Sequence, residues 1–148
     1  GKGAALSASV NFRPSKTLGF EGRLAYATLD RASDGSEYAN SVIPRFKFEY
    51  QPSRPLFFRL ITEYQSTRRA ELRDPVTGGI LYFNGVPTSP TDNHGLRFDV
   101  LASYEPSPGT VAFLGYGSIS ASADAWSFDT LERQSDGFFV KLAYLFRR

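Results

Sequence analysis

Apolar and polar residues alternate along most of the chain, and this period of two is typical of β-strands that have two different faces. Six segments show the alternation clearly, and their apolar positions run over residues 6–12, 18–26, 42–50, 56–64, 96–104 and 138–146. No segment has the 3.6-residue period and capping residues of a helix. The pattern therefore predicts an all-β protein.

A seventh strand is predicted over residues 110–118, but the sequence leaves its facing open. Val111 and Phe113 compete with Leu114 and Tyr116 for the apolar side. Two glycines in the same stretch weaken both choices, because glycine contributes no side chain to either face.

The connections between these strands alternate in length. Three are short and rich in Pro and Ser, at residues 13–17, 51–55 and 105–109. The other three are long and polar, at residues 29–41, 65–95 and 119–137, and contain the turn dipeptides Asp34-Gly35, Asn84-Gly85 and Asp136-Gly137. Short turns on one side and long loops on the other predict an antiparallel up-and-down meander of the transmembrane β-barrel type.

The apolar positions match a lipid-facing surface with aromatic girdles at its two borders. The stretch from Leu56 to Tyr64 has nine residues, close to the 9 to 11 or so that a tilted strand needs to cross hydrocarbon. The aromatic residues assigned to the lipid face or the girdles are Phe12, Phe20, Tyr26, Phe46, Phe48, Tyr50, Phe58, Tyr64, Phe98, Tyr104, Phe138, Tyr144 and Phe146.

The alternate positions of the same strands are charged. They carry Glu21, Arg23, Arg45, Lys47, Glu49, Arg59, Glu63, Arg97, Asp99 and Lys141. In hydrocarbon each charge would cost about 2 to 4 kcal/mol at mid-depth, so these residues do not face lipid. We interpret them as a self-neutralising network in a barrel lumen; an ordinary solvated sheet face is the alternative.

Composition narrows the range of functions further. The chain has 148 residues, 17 basic and 15 acidic, and it contains one histidine and no cysteine. This size predicts a single β-barrel segment over residues 1–148 without a second domain. The near absence of soft ligands predicts neither a metal site nor a cofactor, and a net charge of +2 without a dense basic stripe argues against nucleic-acid binding.

The number of strands predicts that this segment is incomplete as a barrel. Seven strands with periplasmic short turns place the two ends on opposite sides, whereas bacterial single-chain barrels have an even number of strands. A strand before Gly1 is the preferred explanation, and a short strand within residues 78–84 is the alternative. We therefore expect the C-terminal part of a larger barrel, closed by missing N-terminal strands or by partner subunits.

The last twelve residues, Gly137 to Arg148, resemble the terminal strand of outer-membrane proteins, whose alternating aromatics serve as an assembly signal, although a terminal Phe is usual where Arg148 stands. Together with the 103–116 turn and the 50–60 hairpin, they resemble the C-terminal barrel of an uncharacterised bacterial family that joins a family-nine-like carbohydrate-binding domain to an outer-membrane barrel. The resemblance implies a larger protein with a saccharide-related role. It assigns no sugar-binding residue to this chain.

His94 stands near Asp92, Ser89 and Thr91 in the longest predicted loop, which is compatible with a hydrolase of the outer-membrane phospholipase type. Such a site needs its base held by a third group on rigid strands, so a solvated loop histidine is favoured and no catalytic residue is assigned.

Three further groups of loop residues have chemistry that could suit a ligand. The acidic residues Asp30, Asp34 and Glu37 lack the spacing of a calcium loop and are interpreted as solvated turn carboxylates. The arginines at positions 68, 69 and 73 are compatible with lipopolysaccharide phosphates, or with ordinary loop charge. Trp126 and Phe128 are expected to cap the loops.

The sequence thus predicts a non-enzymatic bacterial outer-membrane β-barrel with a pore, uptake or anchoring role and outer-membrane lipid as its surroundings. Its C-terminus would be periplasmic and its long loops extracellular. The alternative is a structural or interaction protein that buries its aromatic face in an assembly, because so continuous an apolar face requires a cover.

Overall fold

The computed structural model describes residues 1–145, and this part of the chain is all-β without a helix. Its strands are β1 (Gly3–Phe12), β2 (Leu18–Asp30), β3 (Glu37–Ser53), β4 (Leu56–Arg69), β5 (Tyr82–Phe83), β6 (Val86–Pro87), β7 (Thr91–Ser107), β8 (Thr110–Ser122) and β9 (Glu132–Tyr144). Seven of them form one antiparallel sheet in the order β1-β2-β3-β4-β7-β8-β9. The predicted seven-stranded meander is confirmed.

The sheet is open, because β1 and β9 are its two edges and do not pair with each other. The barrel geometry that the sequence predicts is therefore not present within residues 1–145. Neighbouring strands are linked by the three short turns that the sequence places at residues 13–17, 51–55 and 105–109. β3 and β7 each extend three residues into the turn that follows.

The strands extend further toward the long loops than the apolar pattern predicts. β7 begins at Thr91, so His94 lies within a strand and not within a loop. Asp136 and Gly137 lie inside β9, where Gly137 pairs with Gly117 of β8, and the prediction of a turn there is wrong. In both places, backbone pairing continues after the apolar alternation stops, since ladder hydrogen bonds do not require apolar side chains.

The facing of β8 follows from its register. Tyr116 pairs with Val100 of β7 and with Phe138 of β9, so it belongs to the apolar face. Gly115 therefore lies on the opposite face, where the Phe139 ring occupies the space that a Cβ at Gly115 would need. Only glycine fits beneath this ring without displacing it.

A small hairpin occupies the loop between β4 and β7. Asn84 and Gly85 both have positive φ angles, of 50° and 80°, as the two central residues of a type I′ turn require. The hairpin that they connect, β5 and β6, forms a separate two-stranded sheet. The alternative prediction of a strand in residues 78–84 is thus correct only for Tyr82 and Phe83, and these do not join the main sheet.

Within residues 1–145, no second layer packs on the main sheet, apart from the loop between β8 and β9 at one end. Tyr64 is the only large apolar residue of the described chain that is buried, at 5% exposure. The accessible surface is 10791 Å², whereas a compact monomer of this mass exposes about 7,500 Å². Within residues 1–145, the ladder of backbone hydrogen bonds and not a hydrophobic core holds the strands together.

Candidate functional site

The even-numbered residues of the paired strands form one face of the sheet, which we call the apolar face. The register places on this face all the aromatic residues assigned to lipid or girdles that fall within residues 1–145. Phe146 lies outside the described residues. Many of these side chains are open to the surroundings, among them Phe12 at 60% and Phe138 at 79% exposure.

Aromatic rings on the apolar face meet across strands near the short turns. The ring centroids of Phe12 and Phe20 are 6.4 Å apart, and those of Phe20 and Phe48 are 5.2 Å apart. Tyr50 and Phe58 stack at 6.5 Å. These distances lie in the range of favourable aromatic pairs, so the border of the apolar face is a row of contacting rings across β1 to β4.

The odd-numbered residues form the opposite, polar face, and the register places on it all ten residues assigned to the charge network. Lys47 Nζ lies 2.8 Å from Glu21 Oε2 and 3.6 Å from Glu49 Oε1. The Glu21 contact joins β2 to β3, and the Glu49 contact lies within β3, so two carboxylates share the Lys47 ammonium group.

Four other charges of the network form two further ion pairs. Arg45 Nη1 lies 3.6 Å from Glu63 Oε2 across β3 and β4, and Arg97 Nε lies 2.8 Å from Asp99 Oδ2 on β7. Three of the predicted residues are not brought to a carboxylate: within residues 1–145, no acidic oxygen lies within 4.0 Å of the charged groups of Arg23, Arg59 or Lys141.

The polar face also contains two neighbouring depressions. One has a volume of about 610 Å³ and lies between β3 and β9, with Arg45, Arg59 and Arg97 among its lining residues. The other, of about 560 Å³, lies nearer the long loops. Each volume is within the 300 to 1,000 Å³ or so typical of ligand sites. Both depressions are lined by Glu63 and Arg97, so they adjoin along the sheet.

A buried polar cluster interrupts the apolar face near the long loops. Ser66 of β4 pairs with His94 of β7, which pairs with Ser122 of β8. Ser66 Oγ and His94 Nδ1 form a hydrogen bond of 3.0 Å, and His94 is only 4% exposed. The prediction of a solvated loop histidine is therefore wrong. The sequence missed this cluster because its members are far apart along the chain.

The loop between β8 and β9 covers this cluster. The backbone N–H of Trp126 donates to Tyr64 Oη at 2.7 Å, and the two rings lie 4.5 Å apart. The ring of Phe128 lies 5.7 Å from that of Tyr64. Ser122 Oγ bonds Thr130 Oγ1 at 2.8 Å and so anchors the far end of the loop. Trp126 and Phe128 thus pack over the end of the sheet.

The serine–histidine hydrogen bond has the atoms of a nucleophile and a base, but a catalytic arrangement needs more. In hydrolases, a third group orients the imidazole and a set of donors receives the oxyanion. The structure gives His94 a serine partner, and no carboxylate of the described chain lies within 4.0 Å of its ring nitrogens. The arrangement supports a structural cross-strand bond.

The loops at the same end of the sheet are tied to each other through Arg31 and Glu71. Arg31 Nη2 donates to the Glu71 carbonyl oxygen at 2.7 Å and lies 3.8 Å from its carboxylate. Arg73 contacts the same carboxylate at 2.7 Å. Hydrogen bonding to its own backbone N–H, followed by the Arg73 guanidinium, lowers the pKa of Glu71.

These contacts affect the other candidate sites in the loops. Arg73 is engaged by Glu71, and Arg68 and Arg69 are successive strand residues that point to opposite faces, so the three arginines do not form one phosphate site. Asp34 Oδ1 accepts from Ser36. In the part of the chain that the structure describes, no three acidic or histidine residues are grouped as a metal site.

Comparisons with protein-family models, curated proteins and solved structures give no significant match. The resemblance to the carbohydrate-binding barrel family therefore stays a prediction. None of the residues 1–145 belongs to a helix long and apolar enough to cross a membrane.

Proposed function

We propose that this chain is part of the wall of a β-barrel in the bacterial outer membrane, with its apolar face against lipid and its polar face toward the lumen. Its role is passage of solutes or anchoring, and not catalysis. The observation that carries the proposal is the separation of the two faces: exposed aromatic and aliphatic side chains on one, and ion-paired charges around a depression on the other.

The dimensions of the apolar face support this proposal. The apolar stretch on β4 runs from Leu56 to Tyr64, and that on β7 from Leu96 to Tyr104. Each has the length that a tilted strand needs to cross hydrocarbon, about 9 to 11 residues. Contacting aromatic rings border the face near the short turns, and Tyr64 with Trp126 borders it near the long loops, as in the girdles of membrane barrels.

Closure of such a barrel requires more strands than the seven in the sheet. Because the strands alternate in direction, β1 and β9 run the same way. Pairing of β1 with β9, either within one chain or around a ring of copies, would be parallel. An odd number of additional strands restores antiparallel pairing throughout. We propose that such strands come from further chain or from a partner, because an open edge in lipid leaves backbone groups unpaired.

The test is whether the folded protein is embedded in lipid. Trp126 is the only tryptophan, so its fluorescence reports on one place, the border of the apolar face. We expect quenching in vesicles of brominated phospholipid and none in the same vesicles without bromine. We also expect the unboiled protein to migrate differently from the boiled protein on a denaturing gel.

The opposite result would support the alternative of an interaction protein. A particle that stays dispersed without detergent, shows no bromine quenching and migrates identically with and without boiling would have its apolar face covered by protein. The open edges of β1 and β9 are the feature that favours this second candidate.

A further inference from the structure

One register position on the polar face carries three arginines and one glutamate across four neighbouring strands. Arg23 of β2 pairs with Arg45 of β3, Arg45 pairs with Glu63 of β4, and Glu63 pairs with Arg97 of β7. We call these four residues the arginine row. Since neighbouring strands are about 4.8 Å apart, the row spans about 14 Å of the face.

The carboxylates near this row do not balance its charge. Glu63 is the only acidic residue within it and contacts Arg45 at 3.6 Å, while Arg97 turns to Asp99 on its own strand. Arg23 directly faces Arg45, and like charges opposite each other in a sheet are destabilising. Glu21, two residues before Arg23 on the same face of β2, contacts Lys47 at 2.8 Å.

Among residues 1–145, a further guanidinium beside the row, that of Arg59, has no ion-pair partner. Arg59 is opposite Glu49 in the register, but the Glu49 carboxylate contacts Lys47 at 3.6 Å and Arg13 at 3.9 Å. Arg45, Arg59 and Arg97 line the same depression of about 610 Å³. Three carboxylates also line it, Glu63, Asp99 and Asp136. They contact Arg45, Arg97 and Arg133, respectively. Arg59 is therefore the one lining guanidinium that no carboxylate of the depression neutralises.

We propose that this depression is a binding site for oxyanions, and that phosphate- or carboxylate-bearing solutes are the ligands that the arginine row and Arg59 receive. Guanidinium groups bind the paired oxygens of such anions through two parallel hydrogen bonds. The free Arg59 supplies the first contact, and the row extends the positive surface toward β2. The biological role of this site rests on the proposed pore, because the inference names the class of solute that the pore would carry.

Binding is tested with inorganic phosphate on the folded protein in detergent, by isothermal titration calorimetry at low ionic strength. We expect saturable binding that Arg59→Gln weakens about tenfold or more. Arg59 has no ion-pair partner in the described part of the chain, so the substitution leaves no carboxylate there without its partner. Lys141→Gln is the matched control. It removes one positive charge from the same face, but on β9, where Lys141 lies opposite Phe113 of β8. We expect it to change the affinity by less than about twofold.

Absence of saturable binding, or equal weakening by the two substitutions, would overturn the proposal, since equal weakening indicates only diffuse attraction. Reversal potentials in planar bilayers under a KCl gradient separate this proposal from that of a pore. Phosphate binding without conductance keeps the anion site and rejects the pore. Conductance without anion preference, in a protein that does not bind phosphate, keeps the pore and rejects the site.

Discussion

The two faces of one sheet use the same backbone ladder and differ in almost everything else. Leu60 of β4 pairs with Phe48 and Val100 on the apolar face, whereas its neighbour Ile61 pairs with Lys47 and Asp99 on the polar face. The apolar face has aromatic contacts, and the polar face has ion pairs and a depression. The ladder therefore defines the sheet, while the side chains define what must surround each face.

The largest expected effect comes from moving one positive charge between the faces. Leu60→Arg places a guanidinium in the middle of the proposed lipid face and should cost about 2 to 4 kcal/mol of folding free energy in a bilayer. Ile61→Arg, one residue along, places the same group beside Asp99 on the polar face and should cost much less. Urea titration of protein folded into vesicles measures both.

Comparing the two variants separates the effect of each face from a general effect of introducing an arginine. If both variants lose the same stability in vesicles, the two faces have equivalent surroundings and the assignment of one face to lipid fails. If the protein instead forms a detergent-free soluble particle, and Leu60→Arg destabilises that particle while Ile61→Arg does not, a protein partner covers the face.

An intermediate effect is expected at the place where the apolar face contains polar groups. His94→Leu removes the partner of the buried Ser66 hydroxyl. A buried hydroxyl left without a partner costs about 1 to 3 kcal/mol. The double variant Ser66→Ala/His94→Leu should recover part of this loss, because neither polar group then remains. Chemical unfolding of the wild type, both single variants and the double variant gives the coupling.

A purely additive double variant would mean that the hydrogen bond between Ser66 and His94 contributes nothing to stability. In that case the cluster would be held by the loop above it, through Trp126 and Tyr64, and not by the cross-strand bond.

The contrast between the faces also explains how far the sequence could predict this structure. Alternation of apolar and charged residues was sufficient for the seven strands and the facing of six, because side-chain direction follows directly from position along a strand. In β8 the sequence left two facings open, and the neighbours Val100 and Phe138 decide between them only once the register is known.

Features that depend on long-range pairing were not predictable in the same way. His94 meets Ser66 from 28 residues away, and the arginine row exists only because four strands align Arg23, Arg45, Glu63 and Arg97. The ends of strands were missed for a related reason: polar segments such as the start of β7 extend a ladder through backbone pairing that leaves no apolar pattern.

The smallest expected effect lies beyond both faces, where Glu71 joins two loops. Its lowered pKa means that the folded state favours the ionised carboxylate. The contribution to loop docking is therefore complete above the ordinary carboxyl pKa of 4.5 and is lost as the pH falls through the lower, folded-state value. Hydrogen–deuterium exchange in residues 70–90, corrected for intrinsic rates, should accelerate several-fold over that range.

Glu71→Gln should produce the same acceleration at neutral pH and remove its dependence on acid, because Arg31 and Arg73 then lose their charged partner. Glu105→Gln, in the turn between β7 and β8 at the other end of the sheet, is the control and should leave exchange in the loop unchanged.

An acid-induced acceleration that persists in Glu71→Gln would assign the transition to another carboxylate. Asp74 is the nearest candidate, since it accepts hydrogen bonds from the backbone of Thr77 and Val76. If the loop contact acts alone, hydrogen–deuterium exchange in the main sheet should not change over this pH range. Exchange in β4, measured in the same experiment, therefore separates local opening of the loop from unfolding of the sheet.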